Sequence, residues 1–247
     1  MKADPFAQLK LLELQALDSE ADQLRHQRSH LAEEAEIRSL TTRRNALVGR
    51  LRDQQIKVDD LTAAQTKADA DVEQVKARRK RDRDRMDQGL ITNPKDLERM
   101  QHELETLERR ISVLEDEELE VMEQLEEAQN VLAALEEEIV DVDGRLATLT
   151  ASRDQQLHEI DASLERVAGQ RAPMLPEIPE DLLALYERLR ASKGGVGAAE
   201  LRARQCGGCR LALDNADLAQ IKAATSDTVI RCENCQRILV RTSESGL

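Results

Sequence analysis

The chain is patterned for long stretches with a hydrophobic residue alternately every three and four positions. From Leu97 to Leu149 this stepping visits sixteen positions, and fifteen are Leu, Met, Ile, Val or Ala, with Glu118 the single break. A mean repeat of 3.5 residues specifies a supercoiled helix with a narrow a/d seam. A less regular seam precedes it: Leu47, Leu51, Val58, Leu61, Ala68, Val72 and Val75 share one register, with Arg44, Gln54 and Gln65 interposed. Leu17, Ala21, Leu24, Leu31 and Ala35 occupy another register, and the slip between about 35 and 40 predicts a local change of winding. The two seams are separated by "MDQGLITNP", residues 86–94, where Pro94 after Asn93 suits the first turn of a new helix. The pattern therefore predicts a mainly α protein: a long antiparallel coiled-coil hairpin over residues 1–170, its turn near 86–94, with arms of about 75 residues and about 110 Å.

After Val167 the repeat gives way to "GQRAPMLPEIPED", whose three prolines predict a stiff connector over 171–181. Residues 182–247 form a second, small domain. It opens on a short amphipathic helix bearing Leu182, Leu185, Tyr186 and Leu189, then passes through a Gly-rich loop into short strands expected at "ELRAR", "TVIRC" and "RILV".

Composition sharpens this reading. One Phe, one Tyr, no Trp and 34% charged residues leave little to fill a wide core, whereas a narrow aliphatic seam is well supplied. The net charge of −13 disfavours general polyanion binding and directs attention to local patches. Charge also tests the hairpin. Residues 115–143 hold thirteen acids and no Lys or Arg, while 38–57 hold six bases against Asp53. Reflection about residue 90 sets these blocks against each other, which selects antiparallel pairing. No stretch reaches about 18 apolar residues and no apolar signal core opens the chain, so a soluble, cytoplasmic protein without membrane or small-molecule chemistry is expected.

All four cysteines fall in the small domain as two C-x2-C pairs: Cys206 and Cys209, then Cys232 and Cys235. Two such knuckles complete a tetrahedral thiolate set, and the intervening segment accommodates a short helix capped by Asp214 or Asn215. Disulfides suit a secreted domain, a redox pair needs only one C-x-x-C, and iron–sulfur centres favour other spacings. One structural Zn²⁺ is the reading that fits. Four thiolates leave no open coordination place for an activated water, and metal binding supplies the folding free energy a segment this small lacks.

The pairs "CGGC" and "CENCQRIL", with "NPKDLERMQHEL" beyond the turn, resemble the bacterial C4-type zinc-ribbon domain family with a long N-terminal coiled-coil hairpin, formerly a domain of unknown function. The resemblance spans essentially the whole chain and rests on Asn93, Lys95, Asp96, Leu97, Met100, Glu103 and Leu104 besides the cysteines. Two departures stand out: Gln236 where the family has Gly, and Asp96 and Met100 in place of Glu and Leu. The resemblance implies a binding protein and not an enzyme, similar in outline to regulators that engage nucleic acid, sigma factors or RNA polymerase.

The candidate binding tip is "KARRKRDRDR": Lys76, Arg78, Arg79, Lys80, Arg81, Arg83 and Arg85, joined by Asn93 and Lys95 across the turn. Charge there suits phosphates of RNA or DNA without base specificity, and the absence of aromatics argues against sequence-specific stacking. Equally, the run is a solvated helix end facing Glu98, Glu103 and Glu105. Asp84 and Asp87 near the turn resemble, in outline, acidic tips that enter the RNA polymerase secondary channel. P-loop, nucleophile-elbow and H-E-x-x-H motifs are absent, and His26 and His30 share a helix face. The expectation is a non-enzymatic zinc-binding adaptor with the hairpin as reach element and the ribbon as head. The alternative is a protein-only scaffold or chaperone working through the coiled coil and ribbon.

Overall fold

The computed structural model describes residues 1–247. In chain order they form α1 (Pro5–Ser29), α2 (Glu33–Asp87), α3 (Pro94–Arg171), a 3-10 turn (Ala172–Glu177), α4 (Glu180–Ser192), β1 (Ala198–Arg202), β2 (Gln205–Cys206), α5 (Asn215–Ala223), β3 (Ile230–Arg231) and β4 (Ile238–Arg241). Two compact units divide the chain: Ala35–Thr150, and Met1–Glu34 together with Ala151–Leu247.

The unit of residues 35–150 is the hairpin that the seams predict. All sixteen α3 seam positions are buried or half-buried, from Leu97 to Leu149 and including Glu118. On α2 the matching positions behave the same way: Leu47, Val58 and Val72 are buried and Arg44, Gln54 and Gln65 half-buried. Leu47 packs with Leu135 and Val142, and Val58 with Leu125 and Ala128. Each fully buried Leu or Val contributes about 1.5–3 kcal/mol, so the seam holds the helices together. Charge sets their direction. Arg43 pairs with Glu138 and Arg44 with Asp143, so the basic block does lie on the acidic one, while just outside both blocks Arg145 meets Glu36 at 3.0 Å with the signs reversed. Exposed pairs of this kind contribute about 0–1 kcal/mol each, enough to choose between pairings and not to hold a fold.

Two sequence expectations need correction in the other unit. The first arm is not one helix: it stops at Ser29 and restarts at Glu33, so the discontinuity lies before the expected 35–40 slip, which is itself uninterrupted helix. Ser29 Oγ donates to the Arg25 carbonyl and the His30 amide to the Gln27 carbonyl, closing the last turn of α1 locally. The expected partition into 1–170, 171–181 and 182–247 also differs from the compact units, because α1 belongs with the C-terminal elements. Ala3, Ala7, Leu11 and Leu14 share one core with Ile178, Leu182, Leu185, Tyr186, Leu189, Ala198, Ile238 and Val240. Within the expected stiff connector, α3 continues to Arg171 and the prolines fall in the 3-10 turn and at the N-cap of α4.

Polar side chains on the buried face of α1 make this union specific. Gln15 donates to the Gly195 carbonyl (2.9 Å) and accepts from the Gly197 amide (2.7 Å), and Gln8 donates to the Ser226 carbonyl (3.3 Å). Buried Asp18 accepts from Tyr186 Oη (2.7 Å) and Arg171 Nε (2.8 Å), tying α1 to α3 and α4. Burial, with the hydrogen bond to Asp18 second, raises the Tyr186 phenol far above its ordinary pKa, so it stays a neutral donor. Along the chain end the sheet order is β2-β1-β4-β3, with β1 and β4 parallel and both edges antiparallel. No helix is long and apolar enough to cross a membrane.

Candidate metal centre and hairpin tip

The two C-x2-C segments fold as equivalent knuckles. In the first, the Arg210 amide donates to the Cys206 carbonyl and the Cys206 amide to the Leu211 carbonyl; in the second, Gln236 donates to Cys232 and Cys232 to Arg237. The distances match pairwise, 2.7 Å and 3.0 Å in each. Each knuckle closes with a residue in the left-handed region, Arg210 at φ 62° and Gln236 at φ 65°, the position where a glycine was expected. Inside the first knuckle Gly208 is required for another reason: a Cβ there would stand 2.7 Å from Arg237 Cδ.

This geometry gathers all four sulfurs within 4.8 Å of one another. Cys206 and Cys235 Sγ lie 3.8 Å apart, Cys209 and Cys232 Sγ 3.9 Å. Four sulfurs bound tetrahedrally at the Zn–S distance of about 2.3 Å stand about 3.8 Å apart, so the donor set fits zinc. A disulfide needs about 2.05 Å. The backbone prepares the charge: amides of Gly208 and Cys209 point to the Cys206 sulfur, and those of Asn234 and Cys235 to the Cys232 sulfur. Burial nonetheless pushes the Cys206 thiol up to about 12 and raises that of Cys232. At Cys235 burial also acts upward, but hydrogen bonds from Arg237, Cys232 and Cys209 together outweigh it and hold the thiol down at about 7. A divalent cation supplies the charge that keeps all four deprotonated, and with four sulfurs around it the centre is structural.

Arg237 was not singled out from the sequence, yet it joins the centre to its surroundings. Beyond Cys235 it donates to the carbonyls of Lys193 (2.7 Å), the C-cap of α4, and Val196 (2.9 Å) in the loop that follows. Arg241 does comparable work for α5, donating to five carbonyls between Ile221 and Thr228. Asp214 is the N-cap of α5, accepting from the Asp217 amide at 2.8 Å. A basic residue close behind the last cysteine was the available signal for Arg237.

At the tip the expected residues separate into two sets. Arg78 pairs with Glu103, Arg79 with Glu108 at 3.2 Å, and Lys76 with Glu115 at 2.7 Å, all across the hairpin. Of the expected Glu98, Glu103 and Glu105, only Glu103 is a partner; Glu108 and Glu115 take the other two places. Lys80, Arg81, Arg83, Arg85 and Lys95 are exposed and form no ion pair. Asn93 has a structural task instead: its side-chain oxygen accepts from the Lys95 amide at 3.1 Å and caps α3. Asp84 and Asp87 are exposed on the last turns of α2.

Comparison with known proteins agrees with both parts. Residues 14–194 match the CT398-like coiled coil hairpin domain and residues 205–239 the C4-type zinc ribbon domain. An uncharacterized Mycobacterium tuberculosis protein, Rv2229c, is 36% identical over 241 residues, 98% of each chain. A solved Mycobacterium smegmatis structure has a TM-score of 0.80 at 35% identity, covering 98% of this chain and 100% of that one. CT398 of Chlamydia trachomatis, at 16% identity, shares the fold with a TM-score of 0.63 over 96% of this chain and 98% of its own.

Proposed function

The chain belongs to the family of CT398-like coiled-coil hairpin proteins with a C4-type zinc ribbon, and from that premise we propose that it is a non-enzymatic cytoplasmic adaptor whose hairpin tip contacts nucleic acid. The ribbon is its folded head and the hairpin its reach element; the setting that suits this build is regulation of transcription or RNA, with RNA polymerase or a sigma factor as protein partner. The observation that carries the reading is the segregation of charge along the hairpin. Residues 76–110 hold eleven Lys or Arg against eight acids, whereas 111–150 hold thirteen acids against Arg145 alone. The arm repels a polyanion and the tip attracts one, which restricts phosphate contact to the turn.

On this reading the unpaired bases of the tip do the binding and the paired ones hold the hairpin together. Arg78, Arg79 and Lys76 stitch the helices together; Lys80, Arg81, Arg83, Arg85 and Lys95 remain for phosphates. The test is fluorescence anisotropy with RNA and DNA oligonucleotides of mixed sequence, wild type against a variant with Glu at Lys80, Arg81, Arg83 and Arg85. Binding that the variant loses, at an unchanged melting temperature, supports the reading; binding indifferent to the four reversals defeats it.

A second reading, a scaffold for a protein partner, is favoured by apolar side chains standing out on the acidic helix. Leu119 is 56% and Val140 69% exposed. On that reading, pull-down partners survive nuclease treatment and depend on Leu119 and Val140, not on the tip.

A further inference from the structure

One feature of the tip is left over by its charges. The turn after α2 is a Schellman motif: the Gly89 amide donates to the Met86 carbonyl (3.0 Å) and the Leu90 amide to the Arg85 carbonyl (3.3 Å), with Gly89 at φ 65°. In this motif an apolar residue at the Leu90 place normally packs on the residue whose carbonyl it bonds. Here that residue is Arg85 and the one before it Asp84, so neither place that usually receives the contact is apolar, and Leu90 stands 66% exposed. The far side of the turn is fixed as well, by the Asn93 cap and by Pro94 at the first position of α3. A largely exposed leucine is thus held on a short turn closed at both ends, between Arg85 and Lys95, with Asp84, Asp87 and Asp96 on the same turns and the basic excess on the preceding residues 76–85.

We infer that Leu90 is a wedge for an interrupted base stack: resting on the nucleic-acid reading above, the tip recognises a duplex at a bulge or mismatch. Leu90 lies against the unstacked step while Lys80, Arg81, Arg83, Arg85 and Lys95 hold the flanking phosphates. Apolar side chains of this type are the ones that enter base steps, and a site already unstacked admits them at least cost. Stacking on a large aromatic ring is not the mode, because no Phe, Tyr or Trp lies in the tip. A bilayer is the poorer fit, since one leucine gives far less apolar burial than even a single acyl chain, which itself anchors only marginally.

The experiment uses the full-length zinc-loaded protein and two short RNA duplexes, one intact and one with a single-nucleotide bulge beside 2-aminopurine. Wild type binds the bulged duplex about tenfold or more tighter, the range expected for burying one leucine, and raises the 2-aminopurine fluorescence. Leu90→Ser, a change at an exposed position, binds both duplexes equally and weakly, with the salt dependence of wild type retained. Equal wild-type binding to both duplexes, with no fluorescence change, overturns the wedge while leaving phosphate binding in place. No binding to either duplex at low salt removes the nucleic-acid reading itself. Leu90-dependent cosedimentation with phosphatidylserine vesicles, without duplex preference, overturns the wedge in favour of a membrane surface.

Discussion

On the proposed reading, raising the salt concentration across the binding reaction counts the phosphates held by the tip, and the unpaired bases set the number to expect. Five of the candidate binding residues at the tip are bases free of ion pairs: Lys80, Arg81, Arg83, Arg85 and Lys95. Each phosphate neutralised on a single strand adds about −0.7 to the slope of log K against log salt, so five give about −3.5. Between 50 and 200 mM salt that slope lowers affinity about 130-fold. Recruiting Lys76, Arg78 and Arg79 as well, at the loss of their partners Glu115, Glu103 and Glu108, steepens it to about −5.6. Anisotropy titrations of a labelled RNA strand at several KCl concentrations separate these cases. The double variant Lys80→Ala, Arg81→Ala serves as internal control and flattens the slope to about −2. A wild-type slope shallower than about −1, or one the double variant leaves unchanged, refutes phosphate contact by these residues.

Four further outcomes follow from the structure. Chelating zinc loosens α1 together with the ribbon, because Leu11, Leu14 and Gln15 pack and bond on ribbon elements; hydrogen exchange shows faster amides over Ala7–Ala21 but not over the hairpin from 47 to 142. Tyr186→Phe removes a donor from buried Asp18 and costs about 1.5–3 kcal/mol in urea unfolding. Gln236→Gly relieves a left-handed residue at φ 65° and stabilises the zinc-loaded ribbon by about 1 kcal/mol in thermal melts. Partial burial, with Asp69 close by, raises the Glu118 carboxyl above its ordinary 4.5, so the charged form weakens the hairpin. A raised folded pKa means that this penalty is present above it and disappears as pH falls towards the unfolded value. Melting temperature therefore rises on mild acidification through that window, and Glu118→Gln abolishes this component.

Much of the hairpin was legible because a coiled coil is local physics repeated. The 3.5-residue period assigns every seam position from sequence, and burial from Leu97 to Leu149 follows it without exception, Glu118 included. The cysteine knuckles were legible for a similar reason, since two residues between ligands leave the backbone few ways to aim both sulfurs. Gln236 shows the same logic, its left-handed conformation following from its place just behind the knuckle.

What needed the tertiary structure was the fate of α1 and the sorting of the tip. Leu11, Leu14, Gln8, Gln15 and Asp18 answer to strands and helices about 170–220 residues away, and a period along one helix cannot reveal a partner at that separation. Reflection about the turn brought the opposite charge blocks together, but which arginine meets which glutamate depends on supercoil phase and side-chain reach. Only the folded hairpin shows Arg78 and Arg79 in ion pairs, Lys80 and Arg81 without them, and Leu90 largely exposed on its turn. Sequence thus determined what depends on near neighbours along the chain, the seam and the knuckles. The fold decided what depends on side chains meeting across it: a zinc module completed by the N-terminal helix, and a tip with five free cations and one exposed leucine.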